Sequence, residues 1–474
     1  MPSPEAIVHA AELNEKCAVF AANVPDIDNA ARLVTTGLFR LQHRGQEGSG
    51  VVSSDGESLY DRRGRGLVTQ VFDPEDFDIT NLPGSIAVGH NRYSTSNGNG
   101  NNLHFQPIVG EVASFALAHN GNIPDTSKLE AFLNSRGIHT NHMNDSEMMH
   151  AAIEQYVKCG APLKEAAREA TPLFTGAYSL VLMDKDKVVA LRDPKGIRPL
   201  SLASYKNGYL LASETCAFTQ DMRHIRDLRP GEEVVIDKNG VTSHQFADGD
   251  QKLDIFEFVY FSRPDSHLLG KSVYKVRERF GEMLAEEFPN VRGDIVIDVP
   301  NSGLPAAHGF ARASGIPKEV GLIKNTYSGR TFIDPGEDIR AQKVREKLTP
   351  LPEVLAGQRV IVVDDSIVRG TTPREVIRMI RNAGAAEVHM LITSSPVKYP
   401  DFYGIDTPQQ NKLLAARMSI EEMKHYISAD TLHFLPYEKM IEATGLPEDA
   451  FSTSAFTGNY PMDIGKRNSE VVKI

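Results

Sequence analysis

The stretch Val360-Ile361-Val362-Val363-Asp364-Asp365-Ser366-Ile367-Val368-Arg369-Gly370-Thr371-Thr372 decides how the second half of this 474-residue chain folds. Four β-branched apolar residues in a row read as a strand buried on both faces, as in a parallel sheet. Two carboxylates follow at its carboxyl end. A turn of small and hydroxyl residues then opens onto residues 373–380, whose apolar spacing predicts a helix with Pro373 in its first turn, where a missing N–H costs nothing. Open α/β sheets bind ligands at the carboxyl ends of their strands. Backbone N–H groups and hydroxyls at a helix N-terminus suit a phosphate. Adjacent Asp364 and Asp365 suit ribose hydroxyls instead, or Mg2+ bound to them.

Outward from this stretch, residues 294–300 predict another buried strand, followed by the turn Asn301-Ser302-Gly303 and a helix from about Leu304. Residues 319–324 read as a third strand and 387–393 as a further one. Strand, helix, strand, loop, strand, helix, strand is the order of an α/β doubly wound parallel sheet. The basic, glycine-bearing segment from Lys324 to Leu348 reads as a lid over a polyanionic substrate, closing to exclude water.

The bulk numbers bound the rest. The length suggests two or three domains. A hydrophobic content of 41% and a charged content of 24% are those of a soluble globular protein. The net charge of −11 argues against nonspecific nucleic-acid or membrane-surface binding. Cys17, Cys159 and Cys216 contain no CxxC and form neither a disulfide framework nor a zinc site, so a reducing cytoplasm is the expected compartment. No apolar run approaches a membrane span. Residues 1–16 carry three glutamates and lack the apolar core of a signal peptide.

In the amino-terminal half, residues 18–21 predict a strand and Asp28 to Leu41 a helix. Polar turns follow: Gln42-His43-Arg44-Gly45-Gln46-Glu47, Gly89-His90-Asn91-Arg92-Tyr93-Ser94-Thr95, Ala118-His119-Asn120-Gly121-Asn122 and Asn144-Asp145-Ser146-Glu147. Singly, each reads as a turn, a helix cap or a surface charge. Each also abuts an apolar element and can present side chains into one site. Residues 244–254 read as a linker.

The stretch from Val360 to Thr372 resembles the phosphoribosyl-diphosphate motif of type I phosphoribosyltransferases. The amino-terminal motifs, in their order, resemble the glutaminase domain of the N-terminal-nucleophile amidotransferases. Residues 192–200 and 257–266 resemble the glutamine phosphoribosyl-diphosphate amidotransferases in particular. The resemblance implies an α+β N-terminal-nucleophile domain (an αββα sandwich) over residues 17–245. It implies a phosphoribosyltransferase domain over 255–474 with a C-terminal helical extension, and makes residues 1–16 a propeptide cut ahead of Cys17. Cys17 would then attack glutamine with its own α-amine as base. Asn120 and Gly121 would form the oxyanion hole, Arg92 would hold the glutamine carboxylate and Asp145 its ammonium, with Arg44 and Thr95 shaping the pocket. Phosphoribosyl diphosphate would meet Lys324, Arg330, Asp364, Asp365, Ser366, Arg369, Gly370, Thr371 and Thr372. One Mg2+ per subunit would sit at Ser302, Asp364 and Asp365.

The resemblance further implies ammonia passing inside the protein to the ribose, purine-nucleotide inhibition, and assembly as a homo-oligomer, commonly a tetramer. Relatives with a propeptide often hold an iron–sulfur cluster, whose cysteines align with Asp254, Asp401, Asp449 and Ser452 here, so no cluster is expected. Other departures are Ala18 for glycine, Asn144 for serine or threonine, Lys195 for asparagine and Thr326 for arginine. Two alternatives stand beside this reading: a different glutamine-dependent transferase sharing only the first domain, and a nucleotide-binding regulatory protein with one or both sites inactive.

Overall fold

The computed structural model describes residues 17–92, 104–110, 115–325, 342, 344–404, 407 and 409–474. The leader, Thr95, Thr326, Arg330 and most of the expected lid lie outside the described residues.

In the first half the strands are β1 (Ala18–Asn23), β2 (Gly48–Ser54), β3 (Leu59–Arg65), β4 (Ile86–Arg92), β5 (Ile108–Val109), β6 (Ala116–Asp125), β7 (Thr175–Met183), β8 (Val188–Arg192), β9 (Ser201–Tyr205), β10 (Gly208–Ala212), β11 (Arg223–Asp227), β12 (Glu232–Asp237) and β13 (Gly240–Gln245). They form two antiparallel sheets, ordered β11-β9-β10-β1-β4-β2-β3 and β13-β12-β8-β7-β6-β5. The two-residue period of a strand divides its side chains between layers. In β1, Ala18, Phe20 and Ala22 pack with Val34 and Leu38 of helix Ala30–Arg40, while Val19 and Ala21 turn inward to meet Ala118 and Val181. In β6 and β7, Leu117, Leu180 and Leu182 pack outward on helices Asp145–Lys158 and Leu163–Ala170. Helix, sheet, sheet, helix is the αββα sandwich expected from the motifs.

The second half is built on a parallel sheet ordered Ile295–Asp298, Arg359–Asp364, Glu387–Ile392 and Thr431–Phe434. Val296, Ile361, Val363 and Leu391 face helices Val273–Glu287 and Leu304–Ser314. Val360, Val362, Met390 and Ile392 face helices Thr371–Asn382 and Ile420–Ile427. Both faces are covered, which is why the strand before Asp364 is an unbroken apolar run.

Two expectations change. Residues 322–324 do not join this sheet; they pair antiparallel with Leu348–Pro350, because Ile323 and Lys324 lie exposed and carry no second buried face. The fourth parallel strand is Thr431–Phe434, an edge strand whose alternating pattern the sequence did not distinguish from coil. The expected linker is partly ordered as β13. Its remainder lies along the 194–197 turn, Asp250 N and Asp254 N donating to the Pro194 and Ile197 carbonyls at 2.9 and 3.1 Å. Late residues also return to the first half: Asn122 Nδ2 donates to the Phe402 carbonyl at 2.7 Å, and Tyr403 and Ile464 pack on Ala177 and Ile197.

Candidate functional site

Cys17 precedes β1 with a left-handed φ of 54°. The antiparallel register pairs Ala18 with Asn91, so one step further Arg92 lies opposite Cys17. The Ser213 hydroxyl links the two sheets here: it accepts from Val19 N at 2.9 Å and from Asn120 Nδ2 at 3.2 Å. The Asn120 amide is thereby held relative to the strand that begins at Cys17. Gly121 follows with φ 154°, and a Cβ there would lie 2.1 Å from the Ala177 carbonyl oxygen and 2.7 Å from His119 Nε2. Only glycine fits.

Asp145 opens helix Asp145–Lys158. Asn144 caps that helix, its side chain accepting from Glu147 N while Glu147 accepts from Asn144 N, both at 2.9 Å. An asparagine oxygen therefore supplies the cap that serine or threonine would. Asp145 Oδ2 accepts from Ile123 N at 3.1 Å, which ties the carboxylate to β6 two residues beyond Gly121. His104 spans from this helix to β4, pairing with Glu147 while its carbonyl accepts from Arg92. Cys17, Arg92, Asn120, Gly121 and Asp145 are thus brought to one end of the sandwich. Ala18 is fully buried, and its methyl packs with Phe20 and Leu38.

Arg44 is corrected. Its guanidinium is buried between two carboxylates, Glu214 and Glu257, and its Nε reaches the Cys17 carbonyl at 3.4 Å. Burial alone would lower its pKa, but the Glu257 and Glu214 charges outweigh that and hold it above the ordinary range. It braces the Cys17 backbone, and its charge is paired with Glu214 and Glu257.

The second constellation lies at the carboxyl end of Arg359–Asp364. Asp364 and Asp365 are both buried, and their carbonyls accept from Thr393 N and Ser394 N at 3.0 Å, which fastens the turn to the neighbouring strand. Asp365 Oδ1 accepts from the Ser366 hydroxyl at 2.6 Å, and the Asp365 carboxylate also bonds Ser302. The turn Asn301–Gly303 comes this close because Gly303 has no Cβ, which would lie 2.4 Å from the Val363 carbonyl oxygen. Gly370 precedes helix Thr371–Asn382 with φ 81°, and among the described residues no side chain caps that helix, whose first turn at Thr371 and Thr372 has the geometry that suits an anion. Ser366 and Arg369 lie in the connecting turn, and Lys324, itself exposed, ends the strand Leu322–Lys324.

Four supporting residues escaped the sequence reading: Ser213, Glu214, Glu257 and Arg277. Arg277 donates to the Phe258 and Ser262 carbonyls at 2.7 and 2.8 Å and lies close enough to act electrostatically on Asp365. Each is a polar residue whose burial depends on contacts distant in sequence, and Glu257 drew notice only within the family-like string 257–266.

A glutamine amidotransferase domain model matches residues 90–220, and a phosphoribosyl transferase domain model matches residues 275–396. The fold and the two constellations therefore define a glutamine-dependent phosphoribosyl transfer enzyme. Amidophosphoribosyltransferase of Synechocystis sp. is 44% identical over 464 residues, covering 96% of this chain and 93% of the relative. That of Bacillus subtilis is 40% identical over 461 residues, covering 95% of each. The structure of the Bacillus subtilis glutamine phosphoribosylpyrophosphate amidotransferase complexed with ADP and GMP superposes with a TM-score of 0.86 at 39% identity, covering 95% of this chain and 98% of that one. A structure described as the allosteric regulatory enzyme of purine biosynthesis superposes with a TM-score of 0.87 at 39% identity, covering 95% and 97%. The chain belongs to the amidophosphoribosyltransferases. The reading as a glutamine-dependent transferase of another kind falls with that, since the similarity spans both halves.

Proposed function

We propose that the two constellations divide the family's reaction, which makes 5-phosphoribosylamine from glutamine and phosphoribosyl diphosphate in purine biosynthesis. Residues 1–16 are a propeptide, 17–245 the glutaminase and 255–474 the phosphoribosyltransferase. Once the leader is cut, the Cys17 α-amine takes the thiol proton and the sulfur attacks the glutamine side-chain amide. Asn120 and the Gly121 N–H stabilise the oxyanion; Arg92 and Asp145 hold the amino-acid end, by a two-pronged contact and a point charge respectively. A thioester forms and ammonia leaves, then water releases glutamate.

Ammonia passes internally to the second site. There Asp364 and Asp365 hold the ribose hydroxyls, Ser366, Arg369, Gly370, Thr371 and Thr372 hold the 5-phosphate, and Lys324, with Arg330 and the Asn301–Gly303 turn, holds the pyrophosphate. Ser302, Asp364 and Asp365 offer hard oxygen donors that fit Mg2+, which keeps several waters and shares substrate phosphates. When bound, that ion supplies charge neutralisation at the leaving pyrophosphate. Asp254, Asp401, Asp449 and Ser452 offer oxygen rather than thiolate and do not fit an iron–sulfur cluster. A cytoplasmic homo-oligomer inhibited by purine nucleotides completes the reading; the ADP and GMP in the Bacillus subtilis structure support the last part. Among the described residues no helix is long and apolar enough to cross a membrane.

The observation that carries the glutaminase reading is the Ser213 hydroxyl bridging the Cys17 strand to Asn120. Intact mass and N-terminal sequencing test it, together with glutamine hydrolysis by wild type and Cys17→Ala. A chain beginning at Cys17 whose hydrolysis vanishes in the variant, while ammonia-dependent transfer persists, is the expected result. An uncut chain that hydrolyses glutamine at full rate would refute the α-amine as base.

A further inference from the structure

Neither half-reaction uses the buried charge around Arg44, which joins the two domains directly behind Cys17. Arg44 is 2% exposed. Its NH2 donates to Glu257 Oε1 at 2.6 Å and its NH1 to Glu257 Oε2 at 2.9 Å, a two-pronged grip, while NH1 also meets Glu214. Glu257 is fully buried and begins the helical turn Glu257–Phe261 of the second domain. It is itself fixed by Arg198 NH1 at 3.0 Å and the Ser262 hydroxyl at 2.6 Å. Because a guanidinium is planar, holding both prongs fixes where Nε points. It points at the Cys17 carbonyl, 3.4 Å away.

That carbonyl matters because a terminal residue has no predecessor to hold it. The β1 ladder begins at Ala18, so the Cys17 carbonyl is a main-chain handle left to the nucleophile after cleavage. The thiol and its base share this residue, and rotation about it would misplace both.

We propose that Glu257, acting through Arg44, is a positioning residue for the glutaminase nucleophile, so that the glutaminase site is completed by a carboxylate of the transferase domain. This rests on Cys17 being the nucleophile.

The test uses the full processed chain and the variants Glu257→Gln, Arg44→Lys and the double. Glutamine hydrolysis is measured as kcat and KM separately, alongside ammonia-dependent transfer and melting temperature. Displacing a reacting group by an ångström costs about a hundredfold, so Glu257→Gln lowers kcat for hydrolysis about tenfold to a hundredfold. KM for glutamine and ammonia-dependent transfer stay within about threefold, since binding and the second site are untouched. Arg44→Lys loses the fork and falls alike, and the double falls no further than the worse single. Hydrolysis and ammonia-dependent transfer declining together, in step with melting temperature, would reduce the cluster to a domain fastener and overturn the proposal. So would independent, multiplying losses in the double variant. A wild-type chain that begins at Cys17 yet hydrolyses no glutamine would overturn the Cys17 reading itself, and this inference with it.

Discussion

Replacing Gly121 by alanine tests the oxyanion site with the smallest available change. A Cβ would lie 2.1 Å from the Ala177 carbonyl oxygen and 2.7 Å from His119 Nε2, with φ at 154°. Relief to an ordinary contact requires the β6 backbone and β7 to part by about 1 Å, at a cost of about 1–3 kcal/mol for overpacking and of similar order for the unfavourable φ. The chain tolerates that loss less well at the N–H than in the core. Removing one oxyanion donor costs about a hundredfold to a thousandfold in kcat, and a 1 Å displacement costs about a hundredfold. Gly121→Ala therefore reduces kcat for glutamine hydrolysis about a hundredfold or more. Ammonia-dependent transfer serves as the internal control, because Gly121 and the Asp364–Thr372 turn belong to different sheets. The assay is glutamate release with and without phosphoribosyl diphosphate. Hydrolysis within threefold of wild type, in a variant whose crystal structure retains the β6–β7 register, would refute the reasoning.

Ser213→Ala removes the acceptor shared by Val19 N and Asn120 Nδ2. It destabilises the fold by about 1–3 kcal/mol, the cost of a stranded buried donor, readable by urea unfolding, and lowers hydrolysis more than ammonia-dependent transfer. Burial, with the Asp401 charge beside it, pushes the Asp254 carboxyl well above the usual carboxylate range; Arg198 at 3.4 Å opposes this and Glu257 adds to it. The folded chain then keeps a proton that the unfolded chain releases above about pH 4, so this group subtracts stability as pH rises from there toward its folded value. Asp254→Asn carries no such proton, and its urea midpoint should gain on wild type between pH 5 and pH 8; parallel midpoints would contradict the shift.

The residues that announced themselves were those whose role is local. The strand before Asp364 is apolar on both faces and Pro373 fits a first helical turn, whereas the cap read at Asp145 falls one residue earlier, at Asn144. Thr431–Phe434 was missed because an edge strand buries Leu432 and Phe434 but leaves His433 half-buried, tilted against Phe288, giving four residues of weak alternation. The partners of Arg44 escape the sequence for a different reason. A polar motif around an arginine looks like a binding loop, and its counter-charges lie 170 and 213 residues away. No window of sequence contains that pairing.

The return of the late chain onto the first half bears on how such a protein could be recombined. Its two halves are not beads on a string: Phe402, Tyr403 and Ile464 seat against Asn122, Ala177 and Ile197, and the connecting segment is laced along residues 194–197. A gene crossover at the connector, pasting in a different transferase, would strand the Arg198 and Arg44 charges in a dry seam and leave Ala177 without its cover. A replacement half would have to bring its own carboxylate to the place of Glu257 and its own apolar cover for Ala177.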